Sequence, residues 1–398
     1  MSLLPYARSS SPGMRSSARG ATIVALALLG QSCNPMNAAA DEEALPPNVI
    51  VISLDTLRYD HCGFNGYNRS TTPFLDKLAT ESLVFDRAYT TMSWTLIAHM
   101  SMLTGLYPTQ HGVMEADLAL DPGFPTLAER LASEGYQTAG VHFPGWLDPR
   151  FGFDRGHDTY RAAEDAEAAS AQLEEITAGL RTDWPFFLFV HLFDIHSGDL
   201  HLPGSTIYEP PAPFDSMFME DAKASLAGID AMQWWESVCQ PTAAQREAVS
   251  ALYDGGIRYA DSKLEAWFTD WESRGLLDNT IIVITSDHGE GLRQREARYG
   301  GHGNMFEEGL RVPLMVRLPG GARGGERISS LASLVDIVPT VLDAAGLPGD
   351  DRLPGVRLAR EGRPDDDWVF AARSNARAVI SKDRKIIYVD EMAHRMFR

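Results

Sequence analysis

The chain has 398 residues, 44% apolar and 22% charged, an ordinary globular composition. Roughly 350 of them could fold, which suits one large domain with a small appendage. A net charge of −19 argues against nucleic acid as a partner and against a basic membrane-binding face, and it requires any pocket for a polyanion to be locally basic.

Residues 1–33 read as a targeting segment. Arg8, Arg15 and Arg19 precede the short apolar run Ala21–Gly30, the pattern of a secretory signal and too short for a comfortable membrane span. Cys33 follows at once in a setting that resembles a bacterial lipoprotein cleavage box, imperfectly, since Gly30 stands where Leu is preferred. A lipid anchor at Cys33, soluble export to the periplasm and an uncleaved anchor therefore stay open. Residues 34–47 look like a tether rich in Ala, Asp, Glu and Pro. Only Cys62 and Cys239 remain, and two separate buried thiols are the simpler expectation than a pair.

The folded elements then come in order. Asn48–Leu54 is a continuous apolar, β-branched run, as for a strand buried on both faces, and Asp55 ends it. Thr72-Pro73 opens a helix, Leu83-Val84-Phe85 is a strand, and the Ser93–Gly105 stretch is a loop opening an apolar helix with Ser93 as cap and Gly105 as stop. Pro125–Leu131 begins another helix before a strand near Gly140-Val141-His142. Trp184–Phe193 is a buried strand delivering Asp194 and His196. Residues 198–240 are irregular and read as a lid or rim rather than core. Residues 241–273 carry helical spacing, and Thr280–Thr285 is a strand delivering Asp287 and His288. Asp336–Leu342 reads as a helix and Lys385–Val389 as a late strand. Strand–helix alternation predicts an α/β protein with a mostly parallel central sheet flanked by helices. The boundaries expected are a catalytic domain at 48–349 and a small C-terminal α+β subdomain at 350–398.

The run from Thr95 to Leu103-Thr104-Gly105-Leu106-Tyr107-Pro108 resembles the sulfatase signature. In that family a Cys or Ser converted to formylglycine stands where this chain has Thr95, a Pro where it has Ile97 and an Arg where it has His99. Further blocks resemble the family in order: Asp55, Asp194-Ile195-His196, Ser286-Asp287-His288-Gly289-Glu290, and Gly301-His302-Gly303 with Phe306–Pro313. The resemblance spans roughly residues 48–390 and implies the alkaline-phosphatase-like fold. That superfamily also uses an unmodified Thr as nucleophile.

Asp55, Asp287 and His288, with Thr95, form a hard, mostly oxygen site for one divalent metal. The resemblance implies Ca2+ ahead of Mn2+, Mg2+ or Zn2+. Sulfatases carry a second Asp directly after the first, and Thr56 stands there instead, one carboxylate fewer. The resemblance places His196 and His302 on the anion, His302 where sulfatases often have a Lys. A His there can serve as general acid for the leaving oxygen or as anion clamp. His191 reads as a structural histidine. A second metal bound by Asp194, His196 and His302 stays open. Arg58 is placed to neutralise an anion or to form a surface ion pair. His99 is placed to orient the nucleophile or simply to sit on the helix face.

The expected activity is that of a sulfatase-like, metal-dependent hydrolase that cleaves sulfate or phosphate/phosphonate esters through Thr95, with phosphoesters favoured on chemical grounds. The alternatives are a true sulfuric ester hydrolase and a non-catalytic protein binding an anionic glycan. The expected partner is a small anionic ester or a sulfated or phosphorylated glycan or lipid head group.

Overall fold

The strands of the central sheet are β1 (Asn48–Leu54), β2 (Leu83–Tyr89), β3 (Gln137–His142), β4 (Thr159–Ala162), β5 (Phe186–Leu192), β6 (Thr280–Thr285), β7 (Leu314–Arg317) and β8 (Arg327–Ser333). This is a computed structural model, and it describes residues 45–389 apart from 182, 199–203, 236–239, 295–299, 361 and 374. The expected signal segment, Cys33, most of the expected tether and Cys239 lie outside these residues, and with them the question of a Cys62–Cys239 pair.

The spatial order is β8-β2-β7-β6-β1-β5-β3-β4, with Arg311–Val312 also pairing with β2. β1 pairs in parallel with both β5 and β6, so the residues following these three strands emerge side by side. β7 is antiparallel to β6 and β2, which makes the sheet mixed but mostly parallel. Sequence reading missed β7, β8 and the edge strand β4. Each is short or, like β8, half exposed along its first residues, and so lacks a continuous apolar run.

Helices cover both faces, and the period of β1 divides them. Ile50, Ile52 and Leu54 enter one core with Leu252, Ile257 and Leu264 of the long helix Ala243–Ser273. Val49 and Val51 enter the other, with Leu96 and Met100 of the helix Thr95–Thr104 and Val338 and Val341 of the helix Ile337–Ala344. Successive strand side chains point to opposite faces, so a strand apolar throughout must be covered on both.

Two expectations change here. Ser93 is not the cap of the Thr95 helix. Trp94 holds that position with extended backbone, and the Ser93 hydroxyl instead donates to the Asn304 carbonyl and accepts from the Gly303 amide. Ser93 stands one residue too early, and the loop after His302 claims its side chain. Residues 198–240 are not merely a rim, because Ile207, Tyr208 and Trp234 are buried within the first core. The C-terminal subdomain is a three-stranded antiparallel sheet of β9 (Val369–Arg373), β10 (Ala376–Ile380) and β11 (Lys385–Val389). Arg373 Nη1 donates to the Gly303 carbonyl at 3.0 Å, joining this sheet to the His302 loop.

Asp336, at the head of the Ile337 helix, is fully buried and draws in four donors. The amides of Ser333 and Val356 donate at 2.8 and 2.9 Å, and Arg363 donates through Nη2 at 2.6 Å and Nε at 3.1 Å. Removing one partner of a buried ion pair strands the other in a poor solvent. Asp336→Ala should therefore cost about 3–5 kcal/mol of stability, read as a lowered urea midpoint. An unchanged midpoint would show that the pair adds nothing.

Candidate active site and metal centre

Asp55 leaves β1 with its amide donating to the Leu192 carbonyl of β5 at 2.8 Å. The chain then turns sharply at Thr56, which has φ of 58°. A β-branched residue in the left-handed region is strained by about 1–3 kcal/mol and persists only where its surroundings fix it. Here the Thr56 amide donates to Asp287 Oδ1 at 3.2 Å. The buried Tyr253 hydroxyl donates to the Thr56 carbonyl at 2.7 Å and accepts from the Arg58 amide at 2.9 Å. Asp287 and His288 follow β6, and the next residue must be Gly, since a Cβ on Gly289 would lie 2.1 Å from the Glu308 carbonyl oxygen.

One ligand atom from each of Asp55, Asp287 and His288 lies within 4.8 Å of the others, and all three residues are fully buried. Asp55 Oδ1 and Asp287 Oδ2 have no hydrogen-bond partner. The Nδ1 of His288 lies 3.0 Å from the Gly289 carbonyl, an acceptor only, so Nδ1 carries the proton and Nε2 presents a lone pair. That Nε2 is 3.3 Å from Asp287 Oδ2 and 4.0 Å from Asp55 Oδ1. Burial pushes the Asp55 carboxyl above its usual range, against the pull of His196 and His288. Two orphaned carboxylate oxygens and an imidazole lone pair converging in a buried site fit a hard divalent cation, which would satisfy all of them.

Thr95 begins its helix at this point. Its hydroxyl lies 3.3 Å from Asp55 Oδ2 and 3.3 Å from His288 Nε2. His99, one turn later, donates from Nδ1 to the Thr95 carbonyl at 2.9 Å and accepts at Nε2 from the Ser53 hydroxyl at 2.9 Å. Burial drives its pKa down to about 3, so it is a neutral ring bracing the first turn of the Thr95 helix. His191 has a sharper role than a generic structural histidine. The Phe143 amide donates to its Nδ1 at 3.3 Å, which leaves the proton on Nε2 to donate to Asp55 Oδ2 at 3.0 Å. It holds one oxygen of the carboxylate and turns the other inward.

His196 and His302 stand beside this centre, their ring centroids 5.1 Å apart, and the His302 ring lies 4.6 Å from that of His288. Phe193 stacks on His196 at 4.1 Å and Phe143 on Phe193 at 3.9 Å, a column that fixes the His196 ring. Burial lowers the pKa of both histidines, His302 strongly. Arg58 is buried, and it forks onto Asp60 at 2.9 and 2.7 Å. Its charge is therefore answered within the protein, at an ion pair with an exposed partner. Asp194 is not gathered with His196 and His302. Its Oδ1 accepts from the Ala166 amide at 3.2 Å, and among the described residues only the Asp55–Asp287–His288 set meets the spacing of a metal site.

Sequence reading did not reach Tyr253, Ser53, Glu290 or the strain at Thr56. These act through hydrogen bonds between segments far apart in the chain, such as Thr56 to Asp287, 231 residues away, for which no local pattern exists. The only available signal was the position of Glu290 two residues after His288.

A family model described as Sulfatase matches residues 47–347. An arylsulfatase of Clostridium perfringens is 26% identical over 391 residues, covering 79% of this chain and 78% of the relative. The phosphonate monoester hydrolase of Agrobacterium radiobacter superposes with a TM-score of 0.62 at 21% identity, over 86% of this chain and 89% of its own. A structure in complex with its substrate D-glucosamine-2-N,6-O-disulfate superposes at 0.65 and 19% identity, over 86% and 88%. These structural likenesses show the fold.

The Tyr253 hydroxyl makes a test of the Thr56 turn. Tyr253→Phe leaves a buried carbonyl and a buried amide unpaired, at about 1–3 kcal/mol. The expected result is a lower urea midpoint together with a smaller Ca2+-induced rise in Tm. Equal Ca2+-induced rises in both proteins would show that the hydroxyl does not shape the ligand set.

Proposed function

This chain belongs to the sulfatase family of ester hydrolases, and from that premise we propose that Thr95 is its nucleophile, in a metal-assisted hydrolysis that favours phosphate and phosphonate esters. The observation that carries this reading is the Thr95 hydroxyl, set 3.3 Å from both Asp55 Oδ2 and His288 Nε2 at the N-terminus of its helix. Asp55, Asp287 and His288 would hold the cation, which supplies a lowered hydroxyl pKa and a polarised ester.

Thr95 has a methyl on Cβ and cannot be converted to the formylglycine aldehyde. A Thr–sulfate intermediate would need water to attack sulfur, whereas a Thr–phosphate intermediate breaks down by ordinary attack at phosphorus. In the step proposed, Thr95 Oγ1 gives up its proton toward Asp55 Oδ2 and bonds to phosphorus as the leaving oxygen departs. His302 and His196 face the transferring group and the leaving oxygen, His302 contacting the latter. Water then attacks phosphorus and sheds one proton to the departed leaving-group oxygen, the Oγ1–P bond breaks, Thr95 takes its proton back from Asp55, and the phosphate or phosphonate is released. Charge narrows the choice further. Two carboxylates offset a divalent cation, the surrounding histidines are held neutral by burial, and Arg58 is matched by Asp60. A site with so little net positive charge suits a singly charged group, such as a phosphodiester or phosphonate monoester, better than a dianionic phosphate monoester.

One observation favours a second reading. The structural neighbour bound to D-glucosamine-2-N,6-O-disulfate shares this fold, and a sugar sulfate is likewise singly charged at the reacting group. A turnover panel of p-nitrophenyl phosphate, bis-p-nitrophenyl phosphate, p-nitrophenyl phenylphosphonate and p-nitrophenyl sulfate separates the two. Diester or phosphonate turnover is expected, lost on chelation and restored by Ca2+ or Mn2+. Thr95→Ala should lower kcat/KM by about 10³-fold or more. Turnover of the sulfate ester alone would favour the second reading.

A further inference from the structure

Glu290 has no part in the chemistry above, yet it is a fully buried carboxylate beside the site. Its Oε2 accepts from the Tyr208 hydroxyl and its Oε1 from the Ser197 hydroxyl at 3.1 Å. Ser197 is the next residue after His196, and its carbonyl accepts from His196 Nδ1 at 2.6 Å. The Ser197 hydroxyl also accepts from Trp235 Nε1 at 2.9 Å. Ser197 is therefore pinned by Glu290 through its side chain and pins His196 through its backbone.

On its other side, Glu290 Oε1 lies 3.8 Å from His302 Nδ1, a buried ring nitrogen with no hydrogen-bond partner. Trp235 packs edge-on against the same ring, with centroids 4.4 Å apart at 87°. A carboxylate has about four acceptor positions, and two hydroxyl donors leave capacity that faces His302. The Glu290 backbone is itself fixed, since Arg58 Nη1 donates to its carbonyl at 3.2 Å.

We infer that Glu290 is a positioning residue, which sets His302 directly and His196 through Ser197 so that both rings face the group being transferred from Thr95. The inference rests on the roles given to these histidines under the proposed function. Outer partners of this kind align the groups that touch substrate without touching it themselves. Tyr208 and Ser197 hold Glu290 in place, and Trp235 shuts the far side of the His302 ring.

The test is a double-mutant cycle with bis-p-nitrophenyl phosphate and p-nitrophenyl phenylphosphonate, with Ca2+ content checked for every protein. Glu290→Gln keeps the shape of the side chain and should lower kcat by about 10–100-fold, with KM within about 2-fold of wild type. In a His302→Ala background the same change should cost several-fold less than in the wild type, because the direct route is gone and only the route through Ser197 to His196 remains. A merely structural contribution would multiply equally in both backgrounds, and that result, or no loss in the single variant, would overturn the inference. If Glu290→Gln does not fold by circular dichroism, Tyr208→Phe carries the same cycle with a loss of about 3–10-fold. A wild-type protein that turns over none of these esters would overturn the functional reading itself, and this inference with it. Wild-type turnover with additive losses would overturn this inference alone.

Discussion

Two carboxylates and an imidazole lone pair converge in a fully buried place, and much of the architecture follows from holding them there. Buried like charges within a few ångströms repel strongly, and each also loses its hydration. The sheet makes the arrangement unavoidable: β1 lies between β5 and β6 in parallel, so Asp55, His191 and Asp287 all reach the same edge. His191 and the Thr56 amide each occupy one carboxylate oxygen and leave the other facing inward. His288 is fixed in the tautomer that presents Nε2. Every one of these contacts turns an electron pair toward a common point, which is the arrangement a cation requires.

Thr95, the proposed nucleophile, is held by the same logic. Thr95 sits at the first position of its helix, near both Asp55 and His288, and its carbonyl is tied to the neutral ring of His99. A histidine at this place braces the turn without adding charge, because burial keeps it unprotonated. Removing Arg58 from play, through its fork onto Asp60, lowers the positive charge further. The proposed use of Thr95 as nucleophile and the low positive charge around it fit one chemistry, a Thr ester of a singly charged phosphoryl or phosphonyl group.

Much of this was legible in the amino-acid sequence because it follows from local pattern. The apolar runs 48–54, 186–192 and 280–285 announce buried parallel strands, and a polar residue at the end of such a run is conspicuous, which exposed Asp55, Asp287 and His288. The helix after Trp94 was visible in its spacing and in Gly105, which takes φ of 73° at its C-terminal end. What stayed hidden depends on pairings across the chain. Nothing near Tyr253 announces that its hydroxyl bridges Thr56 and Arg58, and nothing near Glu290 announces Tyr208 and Ser197. Ser93 shows the opposite failure, a good local cap signal overridden by the Gly303–Asn304 loop.

The central claim is that Asp55, Asp287 and His288 hold a divalent cation beside Thr95. Its most direct test is calorimetric titration of Ca2+ into chelator-stripped protein, repeated with Mn2+, Mg2+ and Zn2+ and with the Asp287→Asn variant. The account predicts binding of at least one of these ions at about one equivalent, weakened at least about 10-fold in Asp287→Asn. No binding of any of the four ions, or binding indifferent to Asp287→Asn, would contradict it.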